Sequence, residues 1–341
     1  MISTYISKDD SNAIKGLAIL FMLFFHLFNR ITDGVADLWI LGQPLTKFLS
    51  PATYPVPFFL MMSGYGLYYT YKNGNLTFAS NIKRALKLYL HYWVVMLIFV
   101  GIGIFVAPWH YPGTFSTFLS NVTGLHCTYN YETWFLLPYV VLSFLSPIIF
   151  ECMNRMGTLL SLFLAFLISF GAQFCTSRYF VPGIISGIYV GFFLALSSLL
   201  LDFVLGACLL SWSNPINQNF KEGKTWRRRC LCIFLLLILM LSRCLIHLPW
   251  SSLYTFLFVL VFINMPRFIW IDRILMELGR KSMVMWMVHT YFSIYLFHNF
   301  IYVFKYPMLI WLVLIFISYS SAVVIKNLYH FFFSHNNYFI K

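Results

Sequence analysis

Ala13-Ile-Lys15-Gly16-Leu-Ala-Ile-Leu-Phe-Met-Leu-Phe-Phe-His26-Leu-Phe28 is the first long apolar stretch of the chain, and two ionisable residues interrupt it. Ten residues separate Lys15 from His26. On an α-helix eleven steps make almost a whole number of turns. Both side chains therefore fall on nearly one face, about 16 Å apart along the axis. A basic group at one membrane edge and an imidazole near mid-bilayer are costly to place, and ionisable residues inside a span are functional candidates. The same pair also fits a packing histidine bonded to a neighbouring helix and a snorkelling lysine that anchors the helix end.

Similar apolar stretches recur from end to end. Of 341 residues 60% are hydrophobic, 21% aromatic and only 10% charged, against about 25% charged in a soluble domain. Most stretches have the length that crosses a bilayer as a helix, and a helix satisfies its own backbone in lipid. The alternating strands of a membrane β-barrel are absent. The sequence predicts an all-α, polytopic transmembrane helical bundle, one domain over residues 1–341. It has about ten spans, roughly 13–30, 51–71, 85–107, 132–150, 158–175, 184–212, 230–247, 250–266, 282–303 and 307–327. The sixth is long enough to be broken near Ser197-Ser198 or to be two shorter elements. The first lacks a small-residue cleavage site and reads as a retained helix.

Of the 23 Lys and Arg residues, 18 fall on the side of the N-terminus and five opposite when those spans are threaded. The positive-inside rule puts both termini in the cytoplasm. The net charge of +13 then reflects topology and anionic-lipid contact, not nucleic-acid binding, because it is spread over short loops. The largest cytoplasmic loop, Ser213 to Arg229, divides a six-span half from a four-span half. No internal repeat of the kind that marks inverted-repeat transporters is evident. Seven cysteines (Cys127, Cys152, Cys175, Cys208, Cys230, Cys232 and Cys244) form no CxxC pair, and the histidines lack zinc spacing. They read as small apolar residues, with no metal site expected.

Several other polar groups stand out. Histidine can act as a general base or a nucleophile near neutral pH, which makes His26 the leading candidate. Ser63 and Gly64 in the second span permit close helix approach. Arg84 and Lys87, three apart on one helix face, join Lys15 on the cytoplasmic side as a site for an anion such as phosphate, or as positive-inside anchors. Ser282 and His289 share a face of the ninth span, and His289 is either a second group in the cavity of His26 or a packing residue. Glu132 opens the fourth span beside an aromatic belt, as a contact for an external substrate or a solvated interfacial acid.

Taken in order, these pieces resemble the acyltransferase 3 family of integral membrane acyltransferases. The resemblance rests on Lys15 and His26 with ten residues between them, Phe58-Phe59 to Ser63-Gly64-Tyr65, and the basic Arg84–Lys87 helix start. It continues through Trp134-Phe135-Leu136, Phe203-Val-Leu-Gly206 and Leu278-Gly279-Arg-Lys281-Ser282 to His289. It covers nearly the whole chain. Lys15 stands where the family usually has arginine, which keeps the charge and loses the bidentate fork.

The resemblance implies transfer of an acyl group, most often acetyl, from cytoplasmic acyl-CoA to a hydroxyl of a carbohydrate such as capsule, O-antigen or exopolysaccharide, at the cell membrane. In that reading His26 takes the acceptor's proton, or transiently carries the acyl group. Lys15, Arg84 and Lys87 bind the acetyl-CoA phosphates or stabilise charge near the thioester. Ser63, Glu132 and His289 are expected as cavity or acceptor contacts. A secondary transporter or flippase for a glycan or lipid-linked precursor would use the same intramembrane groups without consuming CoA. A non-catalytic scaffold would tolerate loss of His26.

Overall fold

The computed structural model describes residues 6–30, 34–212, 225–246 and 251–333. Most of the loop from Ser213 to Arg229 lies outside them. Eleven principal helices are assigned among the described residues. They are α1 (Lys8–Phe28), α2 (Val56–Lys72), α3 (Phe78–Val106), α4 (Leu136–Met156), α5 (Thr158–Cys175) and α6 (Ile188–Ser198). The rest are α7 (Leu200–Ser211), α8 (Thr225–Leu245), α9 (Ser251–Asn264), α10 (Ile269–Thr290) and α11 (Pro307–Phe333). The strands among the described residues form one small hairpin, Trp39–Ile40 against Gln43–Pro44.

Six helical stretches are long and apolar enough to cross a membrane: Lys8–Phe28, Phe78–Val106, Tyr131–Met156, Thr158–Phe180, Ile188–Ser211 and Pro307–Phe331. The sequence predicts about ten. The difference has physical causes. With 17 residues in α2 and 14 in α9, these helices are short for a bilayer core needing about 20. In α8 and α10, arginines and acids dilute the apolar run. The helix expected at 282–303 has other bounds. Helix α10 starts at Ile269, ends at Thr290 and passes into a wide turn over Tyr291–Tyr295. Gly279, Arg280 and Lys281 thus sit inside a helix rather than in a loop. The long sixth stretch is interrupted at Leu199, between α6 and α7.

Two crossings organise the interior, and both are made by glycine. A Cβ on Gly16 would lie 1.9 Å from the Leu275 carbonyl oxygen, and one on Gly279 would lie 1.9 Å from that of Asn12. Helices α1 and α10 therefore touch backbone to backbone, as small residues allow in membrane proteins. Gly64 and Gly206 do the same for α2 and α7, against Phe203 and Met61. The start of α1 is also tied down. Ser7 and Asp10 form a capping box, and Arg267, just before α10, pairs with Asp10 at 2.5 Å and with Asp272.

Candidate active site

Helices α1 and α10 run side by side in the same direction, and their register brings two histidines together. His26 Nδ1 lies 2.7 Å from His289 Nε2, across a sequence separation of 263. Gly16 and Gly279 have that same separation, so the glycine contact near one end of the pair sets the level at which the imidazoles meet. The rings stack with centroids 4.9 Å apart. His289 is fully buried and His26 only 9% exposed. His289 Nδ1 is 2.8 Å from the Trp286 carbonyl oxygen in the preceding turn.

On its other side His26 meets Glu132, with Nε2 3.1 Å from Oε2. Glu132 is buried, which sets aside the solvated interfacial acid among its two expected readings. It sits in a tight turn, Tyr131–Thr133, capped by Asn130. Asn130 Nδ2 donates to the Met287 carbonyl at 3.0 Å, and its Oδ1 accepts from Glu132 N at 3.2 Å and from the Thr290 hydroxyl at 2.8 Å. Trp286 Nε1 donates to the Glu132 carbonyl at 3.0 Å. Helix α10 thus holds the carboxylate through its backbone turn while also supplying His289. Arg30 Nη1 lies 3.1 Å from Glu132 Oε1. That oxygen makes no hydrogen bond, so the contact is an ion pair without hydrogen-bond geometry.

These groups border a cavity of about 550 Å³, within the range of small-molecule sites. Along α1 and the turn that ends it, Asn12, Lys15, Met22, His26 and Arg30 line it at helical spacing, and Ser63 and Glu132 face it from other elements. Lys15 is half-buried and has no ion pair or hydrogen-bond partner among the described residues. Beside it at the same end are Asn12, Gly279, Arg280 and Ser282. His289 stands behind His26, outside the lining.

Arg84 and Lys87 are placed differently. Both are exposed on α3 and neither borders the cavity. Arg84 reaches Asn81 at 3.2 Å and Thr70 at 3.5 Å. Arg280 is the second cation at the Lys15 end, and it pairs with Glu277 at 3.6 Å. Two further residues carry no functional assignment from sequence. Tyr54 lines the cavity and packs on Phe25 with ring centroids 5.4 Å apart. Asp202 is buried on α7 with Oδ1 unbonded. A lone acid in an apolar run is the signal by which Asp202 could have been found.

Cys127, on the connection between α3 and α4, is buried. Loss of solvent pushes its thiol pKa up, and contacts with Thr133 and Tyr92 only partly oppose this, so it is a poor nucleophile. Among the described residues no group of three or more His, Cys, Asp or Glu is arranged to hold a metal ion.

A family model described as Acyl_transf_3, acyltransferase domain, matches residues 9–326. No curated protein and no solved structure gives a significant match. With nearly all of its length covered, the chain belongs to the acyltransferase 3 family.

Proposed function

We propose that this multi-pass membrane acyltransferase moves an acetyl or other acyl group from cytoplasmic acyl-CoA to a hydroxyl of a cell-envelope carbohydrate. The observation that carries the reading is one cavity holding three things in order along α1: a cation at Lys15 that meets no partner among the described residues, a proton-handling imidazole at His26, and the Glu132–Arg30 pair beyond it. CoA is anionic and its pantetheine arm is long and thin. Lys15, with Asn12 and Arg280 beside it, suits the donor end, and the arm would reach along the helix to His26. A half-buried ammonium without a carboxylate gains most from an anionic ligand.

In this reading the thioester carbonyl lies near His26. The site there moves the proton that leaves the acceptor hydroxyl and must finally reach the CoA sulfur. A ten-span bundle with both termini in the cytoplasm, and a place in the cell membrane, complete the proposal. They rest on the loop-charge asymmetry and on family membership.

Radiolabelled acetyl-CoA turnover in membranes containing the protein, with His26→Ala beside it, followed by mass analysis of envelope glycans, tests this reading. Label in glycan that vanishes in the variant is the expected result. Absence of CoA-dependent label with folded protein would turn the reading over to a flippase. One observation favours that second reading: the cavity follows α1 from Asn12 to Arg30, a path a translocated glycan could use. It predicts substrate movement without CoA consumption.

A further inference from the structure

At the end of the bundle where Lys15 lies, α3, α10 and α11 meet, and each brings a lysine to the junction. Lys326 of α11 donates from Nζ to the carbonyl of Arg280, so its ammonium sits on the peptide group that joins Arg280 to Lys281 of α10. One turn further along α11, Tyr329 stacks on His91 of α3 with ring centroids 4.0 Å apart. His91 is buried, and its Nδ1 lies 2.7 Å from the carbonyl oxygen of Lys87, one turn back on α3. The stack thus ties the turn of Lys87 to the turn of Lys326. Lys87 and Lys281 both act electrostatically on the Lys326 ammonium.

Among the described residues, Glu277 is the one acid that faces this group. Its carboxylate lies 3.6 Å from Arg280 Nη1 and 3.9 Å from Lys281 Nζ, and it accepts from the Tyr319 hydroxyl at 3.2 Å. His91 and His330 are the other titratable groups there and add no negative charge. Three lysines and Arg280 therefore stand against a single carboxylate. The Lys281 side chain is only 19% exposed and Lys326 is half-buried, so water and salt screen their repulsion less than on an open surface. Lysines that only anchor helix ends snorkel outward singly, away from like neighbours. Here one is folded back onto a backbone carbonyl between two others. An anion shared among the ammonium groups stabilises such an arrangement, and lysine binds phosphate as a point charge.

The surroundings favour one source of phosphate. Lys87, Lys281 and Lys326 do not border the cavity, although Arg280 does, so the cluster lies beside the donor end rather than in it. Its helices carry exposed apolar side chains, among them Leu86 and Leu97 on α3 and Val324 and Leu328 on α11. Cations at the edge of an outward apolar surface match an amphiphile, with its phosphate on the lysines and its chains along the helices. The loop-charge asymmetry assigns this end to the cytoplasmic leaflet, where anionic lipids reside. We propose that Lys87, Lys281 and Lys326 form a binding site for the phosphate of an anionic membrane lipid, which holds α3 and α11 against α10. The site is independent of the acyl-transfer chemistry.

The test uses the full-length protein in nanodiscs of neutral phosphatidylcholine, with phosphatidic acid added in steps. The readouts are the melting temperature and the lipid retained in native mass spectra. The wild type should gain stability that saturates with phosphatidic acid, as binding to the folded state requires, and should retain one molecule of it. In Lys281→Gln combined with Lys326→Gln the apparent affinity should fall by about 25-fold, roughly 5-fold for each cation lost near a lipid surface. Lys8→Gln combined with Arg273→Gln removes the same charge from exposed positions elsewhere and should change it by less than about 3-fold. Equal losses in the two double variants would overturn the site and leave a diffuse attraction, and so would a wild type that phosphatidic acid does not stabilise. CoA and inorganic phosphate, each added to neutral nanodiscs, separate the sources. A shift as large as that of phosphatidic acid, and lost in the lysine double variant, would give the site to a soluble phosphate and overturn the lipid. If the double variant fails to fold in neutral nanodiscs, Lys87→Gln takes its place. That side chain is exposed and makes no ion pair or hydrogen bond among the described residues. Its loss should weaken phosphatidic acid binding by about 5-fold, and an unchanged affinity would overturn the site.

Discussion

Around His26 each ring nitrogen has a partner, at 2.7 Å and 3.1 Å, whereas the ammonium of Lys15, on the same helix face, meets no carboxylate among the described residues. Both residues border one cavity, so the contrast is not between inside and outside. It separates a constellation the protein completes by itself from a charge that a ligand completes. The histidine end is braced by α10 through His289, Trp286, Met287 and Thr290, the kind of preorganisation that favours chemistry. The lysine end has a glycine crossing and open space beside its cation, which favours binding. Changes at the two ends should therefore separate in kinetics, kcat at His26 and KM at Lys15.

The largest effect belongs to His26→Ala. Removing the ring breaks both contacts and leaves Glu132 beside Arg30 alone. Acetyl transfer should drop to background while the melting temperature moves little, because the helix pair is held by Gly16 and Gly279 rather than by the imidazole. Radiolabel transfer and a thermal melt on the same preparation check both halves. Next comes Lys15→Ala, which should raise KM for acetyl-CoA by about 10- to 100-fold. That is the equivalent of one charge-assisted contact of roughly 1.5–3 kcal/mol. Lys15→Arg should stay near the wild type, since the charge survives. A fall in kcat alone for Lys15→Ala would place the lysine at the reacting thioester and erase the contrast between the ends.

The helical period made the Lys15–His26 pair legible from sequence, because the signal lies within one helix. Glu132 was legible as an acid and as a candidate cavity contact, but its burial was not. Its burial comes from a turn pinned to α10 through contacts 154 to 160 residues away in sequence, and no local pattern encodes that. The pairing of His26 with His289 depends likewise on a register set by Gly16 and Gly279, which reads locally only as two small residues. Asp202 was legible by the rule that picked out His26 and went without a role. Arg84 and Lys87 drew attention as charge, but position on a helix does not reveal whether a side chain turns toward a cavity. Apolar runs mark membrane helices well only where they are long and uninterrupted, so six of the roughly ten expected spans stand out among the described residues by length and composition. Helices α2, α8, α9 and α10 are short or carry charges.

The glycine crossings allow the comparison to be sharpened. Gly279→Ala puts a methyl group into the Asn12 carbonyl and must push α10 from α1, costing stability of about 1–3 kcal/mol as overpacking does. Gly206→Ala forces the same clash against Met61 at a crossing without the histidines. Both should lower the melting temperature by similar amounts. Only Gly279→Ala should also reduce kcat, by about 10-fold, since a misplacement of about 1 Å at a reacting centre costs as much or more. Equal kcat in the two variants would mean that the imidazole pair tolerates a shift in helix register.

The smallest effect is expected for Arg84→Ala combined with Lys87→Ala. Both side chains are exposed on α3, and Arg84 is engaged with Asn81 and Thr70. At physiological salt, charges farther away than about 8 Å through water are largely screened. If the donor's phosphates sit at the Lys15 end of the cavity with Arg280, the double variant should change KM for acetyl-CoA by less than about 3-fold, and salt should reduce even that. A change as large as that of Lys15→Ala would instead put the donor's nucleotide across the start of α3. The binding end would then extend over a surface that the cavity does not include, and Lys15 would be one of several phosphate contacts rather than the single charge the ligand completes.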